Sequence, residues 1–120
     1  MIAPVKKAEK KILFHSCGMI GSILEDLKKA GIDAIWPQLP LFDCKELSYF
    51  CRELGLAVQI HLDRANLMTY GSPSDVRAAV GQAVEIFKPY EGGSWFYVEA
   101  DNGFPYENIE ALISEINKYR

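Results

Sequence analysis

Residues 11–36, KILFHSCGMIGSILEDLKKAGIDAIW, contain the pattern that decides the fold. The apolar run KILF is typical of a strand, and HSCGMIG interrupts it with polar residues and glycine. From Met19 onward, apolar residues recur at helical spacing until LKKAG, where basic residues and a glycine are typical of a helix C-terminus. The run DAIW then returns to the strand pattern. This stretch therefore predicts a strand, a helix and a second strand.

The same alternation continues along the rest of the chain. Asp43 and Glu46 suit the N-terminal cap of a second helix, which Gly55 would end. The third strand, LAVQIHL, leads into the loop DRANLMTYG, and Ser72 is placed to cap a third helix. The fourth strand is SWFYVEA, and its helix begins near Pro105. The residues predicted to be buried in helices two and four are Leu47, Phe50, Cys51, Leu54, Ile109, Leu112, Ile113 and Ile116.

Strands that alternate with helices indicate βαβ units and therefore an α/β fold with a parallel sheet. Four such units fit two architectures: half of a TIM (β/α)₈ barrel, or an open flavodoxin-like parallel sheet. A complete barrel takes about 250 residues. The 120 residues of this chain are too few for one. Residues 1–120 are predicted to form a single domain.

The composition of the chain indicates which binding partners and which cellular compartment to expect. The net charge is -3, and Glu9 interrupts the one basic run, so nucleic acid is not expected as a partner. We expect that run, Lys6, Lys7, Lys10 and Lys11, to be a solvated lead-in to the first strand. An apolar stretch of about 20 residues that could span a membrane is missing, as is the apolar block of a signal peptide. Three cysteines fit a reducing compartment, and the protein is expected to be cytoplasmic.

Functional side chains belong after the carboxyl ends of the strands, where the loops converge on one face. The residues at the four strand ends are His15, Cys17, Trp36, Gln38, His61, Asp63, Arg64, Glu99, Asp101 and Asn102. Strand residues two apart point in the same direction, which pairs His15 with Cys17 and Glu99 with Asp101. Imidazole and thiolate are both zinc ligands, and a catalytic zinc takes three protein ligands. The sequence therefore predicts a zinc site of His15 and Cys17, with Glu99 as the candidate third ligand.

Each candidate also has a structural interpretation. A cysteine is commonly buried, and a histidine at a strand end can simply bond a backbone carbonyl. Cys44 and Cys51 fit helix packing better than metal binding. Asp63 and Arg64 form either a structural ion pair or a clamp for an anion or carboxylate, and Trp36 lies either in the core or in a pocket wall. The candidate substrate-binding residues are Trp36, Asp63, Arg64, Asp101 and Asn102.

The stretches HSCGMIGSILEDLKKAGIDAI, LMTYGSPSDVRAAV and NGFPYENIEALI together resemble the C-terminal half of the uroporphyrinogen decarboxylase superfamily. This superfamily includes the zinc-dependent methylcobamide:coenzyme M methyltransferases and related corrinoid-linked demethylase components. The likeness runs from Ile12 to Tyr119. Its motifs are His-x-Cys-Gly after a strand, Ala-Gly-Ile-Asp before the next strand, Gly-Ser-Pro at a helix start and Pro-x-Glu-Asn opening the last helix. The resemblance implies a TIM barrel, of which this chain would be the C-terminal half.

The resemblance also implies roles for individual residues. In the methyltransferase branch the His and Cys of the first motif bind zinc, which points to His15 and Cys17. A further family cysteine follows the last strand, where this chain reads EADNG, so Glu99 or Asp101 would have to replace it. In the decarboxylases a histidine occupies that loop, whereas this chain has Asn102, and their porphyrinogen-binding residues belong to the N-terminal half. The methyltransferase activity is therefore favoured over porphyrinogen decarboxylation.

The implied reaction moves a methyl group from a methylcobamide to a zinc-bound thiol, with zinc and a corrinoid as expected cofactors. Asp63 and Arg64 would orient the acceptor. A half-barrel exposes two strand edges, so we expect a homodimer or a complementary N-terminal half-barrel as partner, with a corrinoid protein or a small thiol as further partners. Two alternatives stay open: a non-catalytic truncated module of the family, and a porphyrin- or corrinoid-binding protein without turnover.

Overall fold

The fold is a four-stranded parallel sheet with helices between the strands, which confirms the predicted α/β class. The computed structural model describes residues 2–119. The strands are β1 (Leu13–Ser16), β2 (Ala34–Pro37), β3 (Ala57–Ile60) and β4 (Ser94–Phe96), in the order β1-β2-β3-β4. The α-helices are α1 (Ala3–Lys7), α2 (Leu24–Lys29), α3 (Cys44–Leu54), α4 (Pro73–Phe87) and α5 (Tyr106–Ile116). Short 3₁₀ turns cover Gly21–Ile23, Leu39–Leu41, Pro89–Glu91 and Asn117–Tyr119, and a π-helical turn covers Arg64–Met68.

The chain divides between Gln59 and Ile60 into two compact units. In the first unit β1 runs parallel to β2 with His15 opposite Trp36, and β2 runs parallel to β3. In the second unit, the backbone N–H of Tyr97, next to β4, donates to the Ile60 carbonyl at 2.7 Å. This register brings the carboxyl ends of β1 and β2 side by side.

The longer helices begin and end at four of the predicted residues. The Asp43 carboxylate accepts hydrogen bonds from two backbone N–H groups in the first turn of α3, at 2.9 and 3.0 Å. Gly55 ends α3 in the left-handed conformation, with φ 64°. At the start of α4, Ser72 and Asp75 bond each other's backbone N–H in a capping box. Helix α5 begins directly after Pro105. These four helix boundaries are therefore confirmed.

Two of the residues predicted to be buried are exposed, and Leu54, Ile109 and Ile116 are only partly buried. Helix α3 packs through Leu47 and Cys51, which leaves Phe50 at the margin of the apolar stripe and 38% exposed. Ile113 is 43% exposed because α5 packs through a different face. The predictions for Phe50 and Ile113 are therefore wrong. The core of the second unit contains Met68, Val76, Val80, Val84, Ala111 and Leu112.

In the N-terminal segment, Lys7, Lys10 and Lys11 are exposed, as expected for a solvated lead-in, whereas Lys6 is partly buried. Ala3–Lys7 forms α1, and Lys6 Nζ donates to the Asp33 carboxylate at 2.5 Å. Lys11 Nζ lies 3.6 Å from the same carboxylate, and the Ile12 N–H donates to it at 2.9 Å. The hydrogen bonds from Lys6 and Ile12 lower the pKa of Asp33 to about 2. The Asp33 carboxylate thus connects the N-terminal segment to the start of β2 through these bonds.

Replacing Asp33 with asparagine is expected to destabilise the protein at neutral pH, with a difference that shrinks as the pH falls toward 2. The folded-state pKa of Asp33, about 2, lies below its ordinary value of 3.8. The ionised carboxylate therefore stabilises the folded chain above pH 3.8, and this contribution is lost as the pH falls through the folded-state pKa. Urea unfolding of both proteins at several pH values measures the difference. A difference that did not change with pH would contradict this role.

Candidate functional site

The first group of predicted site residues lies at the carboxyl end of β1. His15 is in the strand, Cys17 follows it, and the distance from His15 Nε2 to Cys17 Sγ is 3.4 Å. Both side chains are exposed. The Gly18 N–H donates to Ser16 Oγ at 3.1 Å, within the bend that follows the strand. The two side chains that the alternation of a strand predicts to point the same way are therefore in contact and open to solvent.

The His15 ring is held in one orientation by the neighbouring strand. Its Nδ1 lies 2.9 Å from the Trp36 carbonyl oxygen. A carbonyl only accepts hydrogen bonds, so Nδ1 carries the proton and Nε2 keeps its lone pair. The imidazole also packs against the Trp36 indole, with ring centroids 4.1 Å apart and planes inclined by 35°. Nε2 is therefore the acceptor that faces Cys17 Sγ, and the thiol donates to it.

Trp36, a predicted substrate-binding residue, contacts His15 in two ways. Its backbone carbonyl orients the imidazole, and its indole supports one face of the ring. The bond between histidine and a carbonyl, which the sequence offered as a structural alternative to metal binding, is therefore present. Metal-binding histidines commonly make the same bond through their second nitrogen, which fixes the tautomer.

His15 and Cys17 fit zinc as two of its ligands. A tetrahedral zinc with a Zn–N bond of about 2.05 Å and a Zn–S bond of about 2.3 Å needs these atoms about 3.6 Å apart. The separation of 3.4 Å is close to that value. A neutral imidazole nitrogen and a thiol are also the donors that zinc prefers. Within residues 2–119, no three His, Cys, Asp or Glu side chains are grouped so that they could hold a metal ion.

In the second unit, the remaining candidates gather around Arg64. Its Nε lies 3.1 Å from Glu99 Oε2, and its Nη2 donates to Asp101 Oδ2. The hydrogen bond to Asp101 raises the pKa of Arg64, and the same bond lowers the pKa of Asp101. The structural ion pair expected for Arg64 is thus made with Glu99 and Asp101 rather than with Asp63. Two carboxylates already neutralise the guanidinium, and Glu99, the candidate zinc ligand, is one of them.

Asp63 has a separate role, which is to cap the π-helical turn Arg64–Met68. Its carboxylate accepts from the Ala65 N–H at 2.9 Å and from the backbone and side-chain nitrogens of Asn66 at 3.1 and 3.0 Å. Burial alone would raise the pKa of Asp63, but the hydrogen bonds outweigh it and hold the pKa below its ordinary value. The far end of the turn is held by Asn108, whose amide donates to two backbone carbonyls. The sequence predicted a plain loop here.

Asn102 is exposed, and its backbone N–H donates to Asp101 Oδ1 at 2.8 Å. A cavity of about 10 Å³ beside Arg64 has room for one water molecule. It is lined by His61, Leu62, Arg64, Met68, Tyr97, Glu99, Phe104 and Leu112. The first unit has a larger apolar groove of about 360 Å³, and none of the predicted site residues lines it. Its lining residues are Gly21, Leu24, Phe42, Asp43, Glu46, Leu47, Tyr49 and Phe50.

Comparison with known proteins gives no match to this sequence, either among protein families or among curated proteins. None of the helices within residues 2–119 is long and apolar enough to cross a membrane.

Proposed function

We propose that this chain is the C-terminal half of a barrel of the uroporphyrinogen decarboxylase superfamily, with a zinc site of the methyltransferase type. The observation that carries this proposal is the 3.4 Å approach of His15 Nε2 to Cys17 Sγ, with Nδ1 committed to the Trp36 carbonyl. Zinc bound there would lower the pKa of a thiol substrate and hold it as the nucleophilic thiolate.

The residues of the chain then have distinct tasks. His15 supplies a neutral nitrogen whose direction is set before the metal arrives, so little ordering is needed on binding. Cys17 gives up its proton when it binds the metal. Because both side chains are exposed, a thiol substrate can approach from the solvent side. A residue of a second chain, water or the substrate itself would complete the coordination, since Glu99 is paired with Arg64.

The order of the strands supports the half-barrel over the open flavodoxin-like sheet. In a (β/α)₈ barrel, each unit places its strand next to the preceding one, always in the same direction. A doubly wound sheet instead reverses its direction at a switch point. All three connections here advance in the same direction, because the sheet order β1-β2-β3-β4 is also the order along the chain.

The proposal includes a partner, either a second copy of the chain or a complementary N-terminal half-barrel. Strands β1 and β4 are the two edges of the sheet. Leu13 on β1 is 46% exposed and Trp95 on β4 is 40% exposed, so each edge strand carries apolar surface that pairing would cover. We further propose a cytoplasmic location, a methylcobamide donor, free or on a corrinoid protein, and a small thiol as acceptor.

Zinc-loaded protein is expected to accelerate methyl transfer from methylcobalamin to a small alkyl thiol. Loss of the methylcobalamin absorbance and the appearance of the methyl thioether measure the rate. Cys17→Ala is expected to reduce this rate about tenfold or more, by analogy with the loss of groups that support catalytic metals. Cys44→Ala is the matched control, because it removes a half-buried thiol outside the site and should leave the rate unchanged.

The same protein samples test the oligomeric state and the alternative functions. If the partner is a second copy, sedimentation at micromolar concentration should give twice the 13.5 kDa mass of the chain, whereas a monomer would leave the N-terminal half-barrel as the partner. Equal rates for wild type, Cys17→Ala and Cys44→Ala would exclude methyl transfer at a zinc bound by Cys17, and rates no higher than without protein would favour a non-catalytic module. A spectral shift of cobalamin without turnover would instead favour a corrinoid-binding protein, and decarboxylation of uroporphyrinogen would favour the decarboxylase branch.

A further inference from the structure

His15 and Cys17 also form a nucleophile and a base. Cys17 Sγ is exposed and lies 3.4 Å from Nε2, the nitrogen of His15 that carries no proton. The Trp36 carbonyl holds the imidazole in this orientation. A thiol, a base within reach of its proton and a third group that orients the base together form the arrangement that activates cysteine nucleophiles.

We propose that Cys17 is a site of S-thiolation, where a small-molecule disulfide exchanges with the thiol and thereby blocks metal binding. The competition with metal rests on the zinc function proposed above, whereas the exchange itself needs only His15 and Cys17. Such an exchange would make the occupancy of the site depend on the thiol–disulfide balance of its surroundings.

The exchange is balanced in atoms and electrons. Cys17 passes its proton to His15 Nε2, and the thiolate attacks one sulfur of the disulfide. A new S–S bond joins Cys17 to that sulfur while the original S–S bond breaks. The leaving thiolate takes the proton from His15, so Cys17 is oxidised to a mixed disulfide and the other half of the reagent is reduced to a thiol. The blocked sulfur can no longer bind zinc as a thiolate.

The other two cysteines of the chain serve as internal comparisons. Cys44 is half-buried and Cys51 is buried. Burial raises the pKa of Cys44 above its ordinary value and raises that of Cys51 to about 11. Neither thiol therefore provides much thiolate near neutral pH, and both are less accessible to a disulfide than Cys17.

The test is the reaction of metal-free protein with glutathione disulfide, followed by intact mass and peptide mapping. Cys17 should be modified about tenfold or more faster than Cys44 or Cys51, because it is exposed and has a base beside it. His15→Asn should slow the reaction at Cys17 about tenfold. The asparagine amide keeps a donor for the Trp36 carbonyl but offers no acceptor at the position of Nε2. Circular dichroism verifies that this variant is folded, and equimolar zinc should slow the reaction of the wild type.

The outcomes separate the exchange from the zinc function. S-thiolation at an activated Cys17 is excluded if Cys17 reacts no faster than Cys44, or if His15→Asn leaves its rate unchanged. Fast, His15-dependent exchange in a chain that takes up no zinc would support the thiolation site and overturn the zinc function. Zinc uptake that gives Cys17 no protection would overturn the competition between metal and disulfide.

Discussion

Replacing Cys17 with alanine is expected to lower the affinity for zinc about 100-fold, equivalent to about 2.7 kcal/mol of binding free energy. Among residues 2–119, Cys17 is the only side chain grouped with His15 that can become an anionic donor, so its loss leaves one imidazole in the site. His15→Ala should lower the zinc affinity by a similar factor, because it leaves the Cys17 sulfur without the imidazole ligand. Competition with a chromophoric chelator measures the affinity.

The matched control for this prediction is Cys44→Ala, which makes the same chemical change at a thiol near the Leu39 carbonyl rather than near a histidine. It should bind zinc like the wild type. If Cys17→Ala and Cys44→Ala both kept the wild-type affinity, the metal would have to be bound elsewhere in the chain.

Replacing Gly71 with alanine is expected to destabilise the protein by about 1–3 kcal/mol, the usual cost of overpacking. A Cβ at this position would lie 2.5 Å from the Leu67 carbonyl oxygen. That oxygen cannot easily move, because it accepts the Gly71 N–H at 2.9 Å, and the Gly71 carbonyl is itself held by Asn108 at 2.8 Å. Urea unfolding monitored by circular dichroism measures the change.

Gly81→Ala is the matched control, because it makes the same substitution at a position where an added Cβ has space. Gly81 lies inside α4, and among residues 2–119 the neighbour that a Cβ there would meet outside the helix backbone is the Tyr119 hydroxyl, at an ordinary distance of 3.6 Å. Because alanine favours the helix over glycine by about 0.8–1.0 kcal/mol, this variant should be as stable as the wild type or more so. Equal effects of the two substitutions would contradict the close packing described for Gly71.

The fold was largely predictable because local signals decide where most of its elements begin and end. Asp43, Ser72 and Gly55 act through bonds to the backbone within a few residues, so their roles follow directly from the sequence. Helix α1 has no side-chain cap and no buried residue. It is held in place by the ion pair of Lys6 with Asp33, which lies 27 residues further along the chain. A pair so distant in sequence cannot be recognised before the fold is known.

The site was predictable only in part. The alternation of a strand was enough to bring His15 and Cys17 together. Glu99 and Asp101 also share a partner, but both lie beyond Phe96, where β4 ends, so strand alternation does not explain it. That partner, Arg64, is 37 residues from Asp101, whereas its neighbour in sequence, Asp63, turned out to cap a helical turn. The contribution of the Trp36 backbone carbonyl was missed, because it depends on the register of β1 against β2 rather than on a side chain.

The central claim is that His15 and Cys17 bind the same zinc ion, and X-ray absorption at the zinc edge tests it most directly. For the zinc-loaded wild type, we expect one sulfur neighbour at about 2.3 Å and at least one imidazole nitrogen at about 2.0–2.1 Å. The sulfur neighbour should be absent in Cys17→Ala and present in Cys44→Ala. A zinc ion with no sulfur neighbour in the wild type, or an unchanged spectrum in Cys17→Ala, would contradict the claim.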